Sequence, residues 1–141
     1  MAKAPVSTTE ARKLLNLNKS RRGKYNANGQ KIDGHWFASA AEAKRYLQLK
    51  SMEERGLIED LKLQPSYPIV HAGQPITTYR ADFRYVILNE LRRAETVVVE
   101  DVKGMVTDVY LIKKKLVQAQ YNLKINEIPS RDVDKWVDKT P

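Results

Sequence analysis

The stretch TVVVEDVKG, Thr96 to Gly104, constrains the fold of this chain more than any other. Three consecutive valines describe a strand destined for a core, yet the same strand runs straight into Glu100, Asp101 and Lys103. Charges at the end of a buried strand are costly to desolvate unless they are paired, metal-bound or exposed. The fold must therefore give all three a partner. Side chains alternate along a strand, so Asp101 and Lys103 share one face while Glu100 and Val102 share the other.

Just upstream, TYRADFRYVIL reads as a second strand, separated from the valine strand by the polar loop around NELRRA. So short a connection cannot make a parallel crossover, which predicts an antiparallel hairpin. In ordinary register Asp82 then approaches Asp101 across the ladder. Two carboxylates side by side repel, and a divalent cation relieves the repulsion. Mg²⁺ takes one or two protein carboxylates together with water and substrate phosphate oxygens, and Mn²⁺ accepts the same ligands. Lys103, beside such a site, could position an attacking water and stabilise charge growing on a phosphate.

The other segments build around this hairpin. SAAEAKRYLQLKSMEERGL predicts a helix with a capping box at Ser39 and Glu42, an apolar stripe of Ala43, Tyr46, Leu47, Leu49 and Met52, and a left-handed terminator at Gly56. Packed over the sheet, this helix offers Glu42 as a third acid, although the cap alone also accounts for that residue. IEDLKLQPSYPI, interrupted by Pro65 and Pro68, reads as an edge strand or irregular ribbon. TDVYLIKKKLVQAQYN places Val109, Ile112, Leu116, Ala119 and Leu123 at helical spacing, and LKINEI follows as one more strand. Asn28-Gly29 and Asp33-Gly34 are turn dipeptides of a hairpin, and Thr8 to Leu17 reads as a short helix. Together these elements predict an α/β fold, a mixed sheet with an antiparallel hairpin flanked by helices.

Composition narrows the chemistry. At 141 residues the chain is one domain's worth, and it contains no cysteine and only two histidines, His35 and His71. Thiolate and conventional zinc sites are excluded, so a metal here must be held by oxygen. No apolar run approaches the ~20 residues of a membrane span, which leads us to expect a cytoplasmic protein without membrane contact. The net charge of +8 points to a polyanionic partner. That charge is concentrated: residues 1–25 carry Lys3, Arg12, Lys13, Lys19, Arg21, Arg22 and Lys24 against the single acid Glu10. We divide the chain into this basic arm (1–25), a folded domain (26–130) and a polar tail (131–141) with Trp136 as its expected anchor.

Asp82, a gap of eighteen residues, then Asp101-Val102-Lys103, with Glu42 on an upstream helix, resembles the PD-(D/E)XK nuclease superfamily. The run from Lys24 through YRADF and VVVEDVKG looks most like a small phage family related to junction-resolving endonucleases. The resemblance implies a restriction-endonuclease-like core and Mg²⁺-dependent hydrolysis of DNA phosphodiesters, with Glu42, Asp82 and Asp101 at the metal and Lys103 beside the nucleophile. Ala81 stands where the motif has proline, and Asp101 where glutamate is commoner, which shortens the reach to a cation. The implied substrate is branched DNA such as a Holliday junction, inside a bacterial host cell. Two symmetric cuts call for a homodimer. Arg21, Arg22, Lys24, Lys113 and Lys114 are the expected phosphate contacts, the two helix lysines serving equally well as a solvated face. Nicking, flap or single-strand cleavage and a non-catalytic DNA-binding module are the alternatives.

Overall fold

The computed structural model describes residues 29–141. The helix expected over Thr8–Leu17, Asn28, and the expected phosphate contacts Arg21, Arg22 and Lys24 lie outside the described residues. Asp33 and Gly34 take φ of 51° and 81° and close a hairpin between β1 (Gln30–Ile32) and β2 (His35–Phe37). That two-residue left-handed turn is the geometry for which an Asp-Gly pair is suited.

Ser39 starts α1 (Ala40–Glu54) by accepting the Glu42 N–H on its hydroxyl at 3.2 Å, and Gly56 ends the turn at φ 70°. The helix buries Ala43, Arg45, Tyr46, Leu49 and Met52. Leu47, expected in the apolar stripe, is exposed, and the fully buried Arg45 enters the core instead.

The central sheet has the order β3-β6-β7-β8, formed by Ile58–Leu63, Phe83–Leu88, Ala94–Lys103 and Ile125–Pro129. β6 and β7 form the expected antiparallel hairpin, β3 lies at the sheet edge, and β8 pairs parallel to β7. The segment TYRADFRYVIL is not the single strand expected. Its first part belongs to β5 (Gln74–Arg80), which pairs with β4 (Ser66–His71) in a separate hairpin. The chain changes partner at Ala81 and Asp82: the Ala81 N–H donates to Pro65 O at 3.1 Å, and the Asp82 N–H to Glu100 O at 3.2 Å. Ala81 is fully buried in this crossover, where a larger side chain would not fit without rearrangement.

Alternation along β7 separates two cores. Val98 and Val102 pack with Tyr46, Leu49 and Met52 of α1, whereas Val99 packs with Ile69, Tyr79, Ile125 and Val117, the last from α2 (Asp108–Tyr121). The two helices therefore cover opposite faces of the sheet. α2 also covers the outer edge of β4, through Gln120 side-chain bonds to Val70 N and Pro68 O. Its expected stripe is not the buried one. Val109, Ile112, Leu116 and Ala119 are exposed and only Leu123, just past the helix end, is half-buried against the core, while Val117 is buried with Tyr110 half-buried beside it. Packing against the small β4–β5 hairpin uses the face that carries Tyr110 and Val117, so helical periodicity alone selected the wrong side. A 3-10 segment, Ser130–Trp136, then returns the tail to α1, with Val133 more deeply buried than the expected anchor Trp136.

Candidate active site

Each of the three charges that end the valine strand has a different fate. Glu100 points into the α1 core, where its carboxylate receives Arg45 Nε at 2.6 Å, Arg45 Nη2 at 3.1 Å and the Tyr85 hydroxyl at 2.8 Å. Both Arg45 and Glu100 are fully buried. Arg45 further donates to the carbonyls of Trp136 at 2.9 Å and Lys139 at 3.0 Å, tying the tail to the sheet. This pair gives Glu100 a structural partner and keeps it off the face that Asp101 occupies.

Asp101 lies on the opposite face. Its Oδ1 accepts the Asp82 N–H at 3.0 Å, and in return Asp82 Oδ2 accepts the Val102 N–H at 2.7 Å. The partner change at Ala81–Asp82 creates this reciprocal arrangement, because it frees the Asp82 side chain at the end of β6 to reach across to β7. Asp101 Oδ2 is buried and has no hydrogen-bond partner, and Lys103 Nζ lies 3.7 Å from it. Burial, reinforced by the charge of Glu42, pushes Asp82 up to about 7. Burial likewise raises Asp101 to about 6 against the opposing pull of Lys103.

The charge of Glu42 pushes both aspartates upward. Its carboxylate accepts the Ala38 N–H at 3.2 Å and the Ser39 hydroxyl at 3.3 Å, the second half of the capping box. Among the described residues no three Asp, Glu or His side chains come close enough to hold a metal between them. The pair of Asp82 and Asp101, with one orphaned buried oxygen, fits a cation such as Mg²⁺ that takes only one or two protein carboxylates.

Lys103 is held from its other side. Its ammonium sits 4.3 Å from the centre of the Tyr110 ring. The Tyr110 hydroxyl donates to Glu127 at 3.0 Å, and Lys114 Nζ meets the same oxygen at 2.5 Å. Burial and the Glu127 bond raise the Tyr110 phenol above its ordinary range, while Lys114 holds Glu127 below its own. Sequence reasoning missed Glu127. The parallel β7–β8 register sets it beside Asp101, and only a parallel pairing of LKINEI with the valine strand would have revealed this. Lys114, expected on phosphate, is engaged by Glu127, and Lys113 Nζ lies 3.5 Å from Thr78 O.

The chain matches the family described as "Protein of unknown function (DUF1064)" over residues 22–131, most of its length, and it belongs to that family. No curated protein matches it. No solved structure matches it either. Among the described residues no helix is long and apolar enough to cross a membrane.

Proposed function

We propose that this protein is a divalent-cation-dependent DNA endonuclease with a restriction-endonuclease-like core, acting on branched DNA as a homodimer of phage or prophage origin. One observation carries the reading: Asp82 and Asp101 are brought together at the sheet's partner change, with a buried oxygen of Asp101 that makes no hydrogen bond and faces Lys103 at 3.7 Å. A buried carboxylate oxygen without a hydrogen bond is uncommon and is where a bound ion or a catalytic role is looked for.

Asp82 and Asp101 would hold Mg²⁺ or Mn²⁺, with Glu42 reaching the site through a water or a substrate oxygen. When bound, the cation would acidify a water and offset charge on the scissile phosphate. The chain's own groups do the rest. Lys103, poised between the Asp101 carboxylate and the Tyr110 ring, orients the attacking water and stabilises negative charge developing on the phosphate. The backbone N–H of Asp82 and Val102 fix the two carboxylates, so neither must reorganise during the reaction.

The test is cleavage of a four-way junction against a linear duplex, with Mg²⁺ or Mn²⁺. Junction-selective cutting that Asp82→Ala abolishes is the expected result, and equal cutting of both substrates removes the junction claim. The lack of a three-carboxylate set among the described residues favours one rival, a DNA-binding module without turnover. Salt-sensitive binding with no cutting under either cation would establish that rival.

A further inference from the structure

A cleft of about 690 Å³ opens between the β1–β2 hairpin, α1 and the end of β3. Its size falls within the range of small-molecule sites. Aromatic groups dominate one wall: Phe37 and Tyr46 stack with ring centres 4.9 Å apart, and the His35 ring meets Tyr46 edge-on at 6.3 Å. Trp36 stands at the mouth with 62% of its surface exposed. Leaving an indole in water forfeits most of what its burial would contribute. Its ring is nonetheless seated, because a Cβ on Gly29 would fall 2.1 Å from Trp36 Cζ2, so the indole lies directly against the Gly29 backbone.

The cleft is joined to the strand end that carries the acid pair by the backbone alone. Gln64, on its rim, donates its N–H to Asp82 O at 2.8 Å, and its side-chain amide reaches Trp36 O at 3.4 Å. The cationic groups nearby are largely answered: Lys50 is bonded to Asp33, and Lys62 lies 3.5 Å from Asp60. A cleft that is aromatic and close to neutral suits a base better than a phosphate.

We infer that this cleft receives an unpaired nucleobase, stacked on Trp36, from the DNA strand whose scissile phosphate is presented to Asp82 and Asp101. The inference rests on the nuclease reading and narrows its substrate class: a strand with at least one nucleotide out of the duplex beside the cut. Stacking is the natural interaction, since every base has a π-face and an aromatic platform takes each in turn.

The experiment is a titration of intrinsic fluorescence without divalent cation, in a Trp136→Phe background so that Trp36 alone reports. A short deoxythymidine single strand is expected to quench the signal and saturate. The same strand with abasic sites, and a blunt duplex, should leave it unchanged. In parallel, by fluorescence anisotropy of a dye-labelled strand, Trp36→Ala is expected to weaken single-strand binding about tenfold and Trp36→Phe to restore most of it, with duplex affinity unmoved. Equal quenching by the abasic strand, or single-strand affinity unchanged in Trp36→Ala, overturns the inference. Trp36 is exposed, so these variants fold. A protein that passes this titration but cuts nothing with Mg²⁺ or Mn²⁺ overturns the nuclease reading alone. One that cuts junctions while Trp36 stays silent overturns the cleft alone.

Discussion

Asp82 and Asp101 are held with their protonated forms favoured, and that has a thermodynamic signature. Both carboxyls have an ordinary value of 3.8, and burial raises them to about 7 and about 6. Between pH 4 and 7 the folded state therefore binds more protons than the unfolded one, so stability falls as pH rises through that window. It levels off above about pH 8, where both are ionised in either state. Asp82 alone accounts for a loss of about 2–4 kcal/mol by pH 8, since a one-unit pKa difference between folded and unfolded states is worth ~1.4 kcal/mol. Thermal melts of the cation-free protein should show a lower midpoint at pH 8 than at pH 5, and Asp82→Asn should remove most of the difference. Adding Mg²⁺ at pH 8 should recover stability in the wild type and not in Asp82→Asn. A flat wild-type profile would contradict the burial of these acids. At Lys103, replacement by Ala should lower the cleavage rate at least ~100-fold while leaving junction affinity within about threefold, measured by single-turnover cleavage and by gel shift. Parallel loss of binding would instead make Lys103 a phosphate contact.

Among the elements, the Arg45–Glu100 pair acts as a joint between α1, β7 and the tail. Both charges are fully buried, and Arg45 also satisfies two tail carbonyls. Removing one partner leaves the other charge buried and unanswered, so Arg45→Ala or Glu100→Ala should each cost about 3–5 kcal/mol in denaturant unfolding. Replacing both by methionine should cost less than either alone, the non-additivity expected of two charges that answer each other in the core. Glu100 shows where sequence reasoning succeeds: alternation placed it opposite Asp101, and the structure does so. It shows the limit too, because nothing local distinguishes Arg45 from the other cations of α1 as the one drawn inward. Helix caps and the Asp33-Gly34 turn were legible because they are encoded within a few residues. The split of TYRADFRYVIL and the buried face of α2 were not, since the first depends on the pairing of β5 with β4 and the second on packing of α2 against that hairpin.

For the whole molecule, the unevenness of its charge outweighs its sum. Seven of the twenty-five Lys and Arg residues, but one of the seventeen acids, lie in residues 1–25. Residues 26–141 accordingly carry eighteen cationic against sixteen acidic side chains, a net +2. The candidate site within the folded part is itself acidic, and its nearest lysines are committed, Lys114 to Glu127 and Lys103 beside Asp101. If the protein is the nuclease proposed above, its attraction to a phosphate backbone comes largely from the arm. Each phosphate neutralised by a cation contributes about 0.9 to the slope of log affinity against log salt for duplex DNA. Deleting residues 1–25 should therefore weaken DNA binding at low salt by at least about tenfold and reduce that slope by several units. The single-turnover cleavage rate at saturating DNA should stay within about threefold of the full-length value, because none of Glu42, Asp82, Asp101 or Lys103 is removed. Titrations over a range of salt, paired with that rate, separate the two contributions. An unchanged slope would place the phosphate contacts on the folded domain, and a collapsed rate would make the arm part of the site.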